Sequence, residues 1–207
     1  EQPWSGHPIV VTGIGADGWS GLGESARAAI TACEVVFGSP RQLALLPPGP
    51  AARVPWPSPL LPALPGLFAE HADRRLGVLA SGDPMFYGIG VTLARRFGAS
   101  ALRVFPQPSS ASLACARLGW PLAETPVVSV VARPLPTVLP ELADGRRVLV
   151  LSEDEHSPAR IAELLSANGF GASTLRVLDQ LGGPAEAIRT GTAASWAHPP
   201  GDPLNIV

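Results

Sequence analysis

Four short apolar runs constrain the fold of this chain more than any other feature. "IVVTGIG" (residues 9–15), "EVVFG" (34–38), "LGVLA" (76–80) and "ALRVFP" (101–106) are apolar, mostly with β-branched residues, and too short for buried helices. Around them, "ESARAAITAC", "GLFAEHADRR", "IGVTLARRFGA" and "SASLACARLGW" read as helices. Strands that alternate with helices need crossover connections, and right-handed crossovers build a parallel sheet. The expectation is therefore an α/β fold. Segment 47–65 interrupts the alternation with eight prolines. Each removes a backbone donor, so the segment is expected as an extended surface excursion rather than helix or central strand.

The rhythm changes at "WPLAETP", which sets the expected domain boundary: residues 1–123, then 124–207. The later runs "VVSVVA", "RVLVLS", "STLRVLDQLGG", "PAEAIRTGTAASWA" and "PLNIV" read as a smaller α/β unit with more strand. Its helix "SPARIAELLSANGFG" is expected to start on a Ser157 cap with Pro158 in the first turn, and to end at Asn168-Gly169.

Composition excludes some partners. A chain of 207 residues buries roughly 70% of its unfolded surface, and at 46% hydrophobic it has the residues for a core. Charged residues make up 15% and the net charge is −2, so no basic excess exists to displace counterions from nucleic acid. No secretory signal and no apolar run of membrane-spanning length is seen, so a cytoplasmic protein is expected. Cys33 and Cys115 each sit among alanines and are expected as buried free thiols. His7, His71, His156 and His198 lack ligand spacing, and "EDEH" (153–156) reads as a polar loop, so no metal is expected. The chain begins at Glu1 and stops in what reads as a last strand; a piece of a longer protein is the expectation.

Three strand ends carry candidate chemistry. After the first run comes Gly13-x-Gly15-x-x-Gly18, the spacing of a dinucleotide fingerprint. Arg41 in "FGSPR" would then suit a cofactor phosphate. Against this, Trp19 stands where a helix normally opens with small residues, and a plain tight turn explains the glycines equally well. After the third run comes "SGDPMFYGIG" (81–90), long, apolar and glycine-rich at the strand end where α/β sheets bind ligands. Asp83 either anchors a donor group there or fixes a turn with Pro84. After the fourth run, Ser109 and Ser110 either cap a helix or face the same crevice.

With these motifs in place, the chain resembles the tetrapyrrole (uroporphyrinogen/precorrin) methyltransferases. "VTGIGADGWSGL", "LASGDPMFYGIG" and "FPQPSSASLACARLGWP" agree with that family in order and spacing. Together with "EDEHSPARIAELL" and "DQLGGPAEAIRTGT", they are most similar to the branch that methylates carbon 5 of precorrin-7 or its cobalt form. The resemblance implies two α/β domains of the tetrapyrrole methylase type with the ligand cleft between them. It implies S-adenosylmethionine as methyl donor, leaving S-adenosylhomocysteine, in cobalamin biosynthesis. Donor contacts carried over are Ala16, Ser81, Gly82, Asp83, Phe86, Ser109 and Ser110, and in the second half Ser152, Leu181 and Gly182. It further implies a homo-oligomer, and a decarboxylating methyltransferase for carbon 15 as a fused or separate partner. Val131-Ala132 replaces a His-Gly common in the branch, and Asp179-Gln180 replaces Glu-Asn.

The macrocycle carbon would itself be the nucleophile, so positioning is the protein's main task. Asp17 and Tyr87 are the candidate proton-handling groups; fixing a turn and packing on the donor are their alternatives. Arg133 and Arg41 are candidates for pairing substrate carboxylates, with ordinary solvated arginines as the alternative. A sibling methyltransferase acting at another precorrin carbon, an NAD(P)-dependent reductase using the Gly13 fingerprint, and a silent binding module stay open at this point.

Overall fold

The structure, a computed structural model, describes residues 4–207. It divides into two compact units, one ending at Ser109 and the other running from Ser110 to Val207.

The first unit is built on strands β1 (Ile9–Ile14), β2 (Val35–Gly38), β3 (Ala52–Pro55), β4 (Leu76–Ser81) and β5 (Leu102–Phe105). All pairings are parallel, in the order β3-β2-β4-β1-β5. Its helices are α1 (Glu24–Thr31), α2 (Pro40–Ala44), α3 (Leu60–Ala69) and α4 (Ile89–Phe97). Side chains alternate across the pleat and load both faces. Val10, Ile14, Val36 and Leu79 pack with Ile30 of α1 and Leu43 of α2. Ile9, Val11, Val35, Phe37 and Val78 pack on the opposite face with Leu64 and Phe68 of α3 and Leu93 of α4. Right-handed crossovers produce this split: the chain steps one way through α1 and α2, then returns through α3 and α4. Neighbouring strands β1 and β4 thus send their chain ends to opposite faces, which opens a crevice at their carboxyl ends.

The proline-rich segment departs from expectation. It supplies β3 at the sheet edge, where an absent donor costs little, and the first six residues of α3. Pro62 falls in the first turn of α3, where no intrahelical donor is needed. Pro65 does interrupt the helix ladder. Burial outweighs that loss: Leu64 and Phe68 are at most 1% exposed, and Phe68 stacks on Phe37 at 5.1 Å between ring centroids.

The second unit starts with α5 (Ser110–Leu118) and continues through β6 (Val127–Ser129), β7 (Leu149–Leu151), α6 (Ser157–Ala167), β8 (Thr174–Asp179), β9 (Ala187–Thr192) and β10 (Asn205–Ile206). The sheet order is β6-β7-β10-β8-β9. β6 and β7 are parallel, while β10 runs antiparallel to both β7 and β8, and β9 antiparallel to β8. The division falls before α5 rather than near Glu124 because Ala111, Ala114 and Cys115 of α5 are buried against Leu149, Leu178 and Ile206. In α6 the cap position is His156, and Ser157 is the first helical residue. The Ser157 hydroxyl turns back instead, accepting from the Glu153 and Asp154 amides at 3.0 and 3.1 Å. Asn168 and Gly169, with φ +85°, end the helix as expected.

Both cysteines are free and buried. Burial disfavours the Cys33 thiolate and pushes the thiol up to about 11, with Arg75 opposing and Glu34 adding to the shift. The protonated thiol therefore contributes stability that is present below pH 9 and is lost as pH rises from 9 towards about 11. A disulfide thiol reagent at pH 8 is expected to leave Cys33 unmodified until urea unfolds the chain; fast labelling of native protein would contradict its burial.

Candidate functional site

In the first unit the candidate residues gather at the carboxyl edge of the parallel sheet. Register sets this directly: Ile14 pairs with Ser81 across β1 and β4, and Thr12 pairs with Phe105 across β1 and β5. The loops from Gly15, Gly82 and Pro106 therefore leave the same edge. The backbones of the first two nearly touch. A Cβ on Gly13 would lie 1.9 Å from the Gly82 carbonyl oxygen and 2.9 Å from the Gln107 nitrogen. Gln107 N–H donates to that carbonyl at 3.3 Å, and Gly82 N–H donates to Ile14 O at 3.4 Å. Gly82 itself has φ +60°, the left-handed region that glycine enters without strain.

Asp83 fixes the turn that follows. Its carboxylate accepts from the Met85 amide at 2.9 Å, and its carbonyl accepts from the Phe86 amide at 3.1 Å. The turn pushes three large apolar side chains into solvent: Met85 is 46% exposed, Phe86 37% and Tyr87 47%. Tyr87 holds φ +54°, uncommon for a non-glycine residue, and meets Phe86 edge to face at 5.0 Å. Contiguous apolar exposure above a strained backbone, at the β1/β4 crevice, is the character of a ligand surface. Gly88 and Gly90 return the chain tightly: a Cβ on either would come within 2.7 Å of the Pro84 carbonyl oxygen.

Ser81 is held from the side by α2. Its hydroxyl accepts from Gln42 Nε2 at 3.0 Å and from Arg41 Nη2 at 3.2 Å. Gln42 also closes a capping box with Ser39, Ser39 Oγ accepting from its amide at 3.1 Å and its own Oε1 accepting from Ser39 N–H at 2.9 Å. Sequence reasoning did not single out Gln42, although Ser-x-x-Gln before a helix is a recognisable capping signal. Arg41 thus stands beside the Gly-Asp-Pro loop.

The loop after β1 does not form a dinucleotide cradle. Gly18 begins a short 3-10 turn, Gly18–Gly21, and α1 opens only at Glu24. Ala16, half-buried, sits in this loop beside Asp17. The Asp17 carboxylate folds back over the turn: a Cβ on Gly21 would lie 1.9 Å from it, and one on Gly15 2.8 Å. A fixed anion against the fingerprint glycines repels a pyrophosphate where a helix N-terminus would attract it. Asp17 thus lies within its own turn, a placement that fits the turn-fixing alternative.

In the second unit, β6, β7 and β8 end at one edge, where β10 begins. Leu151 and Ser152 close β7; the Ser152 Oγ is buried with no hydrogen-bond partner in the structure. The Asn205 Oδ1 is a second such atom, while its Nδ2 donates to the carbonyls of Asp154 and Asp202. Buried polar atoms without partners are uncommon and mark places where a ligand can complete the bonding. After β8, Gln180 (φ +49°) and Gly182 (φ +81°) bend the chain sharply, and Leu181 is 7% exposed among Ala111, Ala114 and Cys115. Arg133 follows β6 in an exposed loop where Ala132 has φ +52° and the Arg133 amide donates to Val130 O at 3.2 Å. Asp154 in "EDEH" organises its own loop, accepting from Ser157 Oγ and the His156 amide and pairing with Arg160 at 2.7 Å. Ser109 precedes α5 and Ser110 is its first residue. Among the described residues no group of three or more metal-ligating side chains converges, and no helix is long and apolar enough to cross a membrane.

Comparison with known proteins shows which family the chain falls in. The precorrin-6Y C(5,15)-methyltransferase [decarboxylating] of Mycobacterium tuberculosis is 47% identical over 205 residues, covering 96% of this chain and 51% of that protein. The chain thus spans about half the length of that curated relative. The cobalt-precorrin-7 C(5)-methyltransferase of Salmonella typhimurium is 30% identical over 180 residues, covering 87% and 88%. The solved precorrin-6Y methylase of Archaeoglobus fulgidus superposes with a TM-score of 0.71 at 28% identity, covering 97% and 96%. Residues 8–197 match the family description itself, and the chain belongs to the tetrapyrrole (corrin/porphyrin) methylases.

Proposed function

We propose that this chain is an S-adenosylmethionine-dependent C-methyltransferase that acts on carbon 5 of precorrin-7 or its cobalt form. The observation that carries the target carbon is coverage. Most of the chain aligns both with half of a C(5,15) enzyme and with 88% of a C(5) enzyme. Methylation at carbon 5 is the activity those two names share. This reading keeps a decarboxylating carbon-15 methyltransferase as a fused or separate partner, a homo-oligomer, and a cytoplasmic setting without nucleic acid or membrane.

When bound, S-adenosylmethionine supplies an electrophilic methyl group. The chain's own residues bind and orient. Gly13 and Gly82 keep the strand ends open to close backbone approach, with Ala16 beside them. Asp83 holds the turn that presents Phe86 and Tyr87 as an apolar wall, and Ser81 is aimed by Gln42. Ser109 and Ser110 are assigned to the donor, as is the Ser152 hydroxyl, which lacks a protein partner. Leu181 and Gly182 act through backbone, since the Leu181 side chain is committed to the core. Arg41 and Arg133 are assigned to substrate carboxylates. Holding reactants at attack distance supplies about 7–11 kcal/mol of the barrier reduction, so no protein nucleophile is required. Tyr87, exposed on the loop, is better placed than Asp17 for any proton adjustment.

Calorimetric titration with S-adenosylhomocysteine, beside NADPH, tests the donor assignment. Micromolar binding of the former and none of the latter is expected. Asp83→Ala should weaken binding about tenfold by releasing the Met85 amide and loosening the turn. NADPH binding without S-adenosylhomocysteine binding overturns the proposal. Nuclear magnetic resonance of the product from precorrin-7 and labelled donor then reads which carbon receives the methyl.

A further inference from the structure

The geometry points to Glu186 as a positioning residue that holds the donor loop at 180–182 in its binding conformation. The inference rests on the donor-site reading above and adds a residue to it. Glu186 lies just before β9, and its carboxylate makes three hydrogen bonds. Oε1 accepts from Arg117 Nε at 2.5 Å and Oε2 from Arg117 Nη2 at 3.0 Å, a side-on pair with both oxygens engaged. Oε2 also accepts from the Gly182 amide at 2.7 Å. Most ion pairs this exposed contribute little, but a bidentate guanidinium pair with a third charge-assisted bond is the favourable exception.

What this carboxylate restrains is a strained turn. Gln180 and Gly182 both lie in the left-handed region, and Gln180 is not glycine. Such a turn persists only where its surroundings over-determine it. Gln180 is fixed by its amide to Leu204 O at 3.0 Å and its side chain to Asp202 at 3.0 Å. Leu181 is fixed by burial. Gly182 has no side chain to anchor, and Glu186 supplies its amide bond. Arg117 sits in the last turn of α5, the helix that opens at Ser110. One carboxylate therefore ties the Leu181-Gly182 turn to the helix carrying a proposed donor serine. The hydrogen bonds from Arg117, and then that from Gly182, also hold the Glu186 carboxyl below the usual carboxylate range, so it is charged at neutral pH.

The test separates positioning from bracing. Glu186→Ala is expected to raise the Kd for S-adenosylhomocysteine about tenfold. Arg117→Ala, which leaves the Gly182 bond, should raise it about threefold at most. The charge swap Arg117→Glu with Glu186→Arg restores an ion pair but offers the Gly182 amide no acceptor. It should recover the melting temperature lost in Glu186→Ala without recovering affinity. Glu186→Gln, which still accepts from Gly182, should recover part of the affinity. If Glu186→Ala binds as tightly as the native chain, or if the swap restores affinity together with melting temperature, the positioning role is refuted and Glu186 only braces the fold. If the native chain does not bind S-adenosylhomocysteine at all, the donor reading fails first, and with it this assignment.

Discussion

Gly13→Ala is expected to abolish measurable S-adenosylhomocysteine binding and to destabilise the first unit by about 3 kcal/mol, at the upper end for overpacking. The added methyl would sit 1.9 Å from the Gly82 carbonyl oxygen and 2.9 Å from the Gln107 nitrogen. Both are backbone atoms, so no rotamer change relieves the overlap. The ends of β1 and β4 must move apart, which breaks the Gln107-to-Gly82 hydrogen bond and shifts the Asp83 turn. Gly23→Ala is the matched control, because a Cβ there meets nothing within 4 Å. Urea denaturation and calorimetry on both variants check the prediction. Equal tolerance of the two substitutions would mean that the close approach of β1 and β4 is not needed for the site.

The second large effect falls on stability alone. Phe68→Ala should cost about 3–5 kcal/mol, the range for deleting a fully buried aromatic. Phe68 is 0% exposed, and its ring centroid lies 5.1 Å from Phe37, 5.2 Å from Phe97, 6.0 Å from Trp4 and 6.5 Å from Trp56. The cluster lines the sheet face under α3 and α4, while the proposed donor residues occupy the carboxyl edge. At temperatures where the variant is folded, its Kd for S-adenosylhomocysteine should stay within about twofold of native. An affinity that falls in step with stability would show that this face sets the geometry of the edge loops.

The sheet of the first unit was legible because its buried strands are nearly continuous apolar runs, and the edge loops followed from where those runs stop. The Gly-Asp-Pro turn was legible for a similar reason: Asp83 bonds only two residues along the chain. Segment 47–65 was misread because proline statistics describe local cost, whereas Leu64 and Phe68 bury against a sheet formed by distant residues. The boundary near Glu124 missed α5 because a short helix shows nothing in sequence of which sheet it covers. The fingerprint at Gly13 matched a spacing, but only the structure reveals that Asp17 fills the turn and that α1 starts late. The Arg117–Glu186 pair spans 69 positions, and each partner alone resembles any solvated charge. Gln42 lies between these extremes, since its capping box is local and its bond to Ser81 is not.

The all-parallel order of the first sheet also bears on how the chain is made. β1 lies between β4 and β5, and Val10 finds its first partner at Gly77. At about 5–20 residues per second, a growing chain exposes β1 for roughly 3–13 s before β4 leaves the ribosome. Throughout that interval, "IVVTGI" is an apolar β-branched segment with both edges open, the kind of segment that nascent-chain chaperones cover and that aggregates when they do not. The second unit carries no such delay for β8, whose partner β9 follows within a hairpin. The strand at the heart of the proposed donor edge is thus also the one that waits longest for its first partner during synthesis.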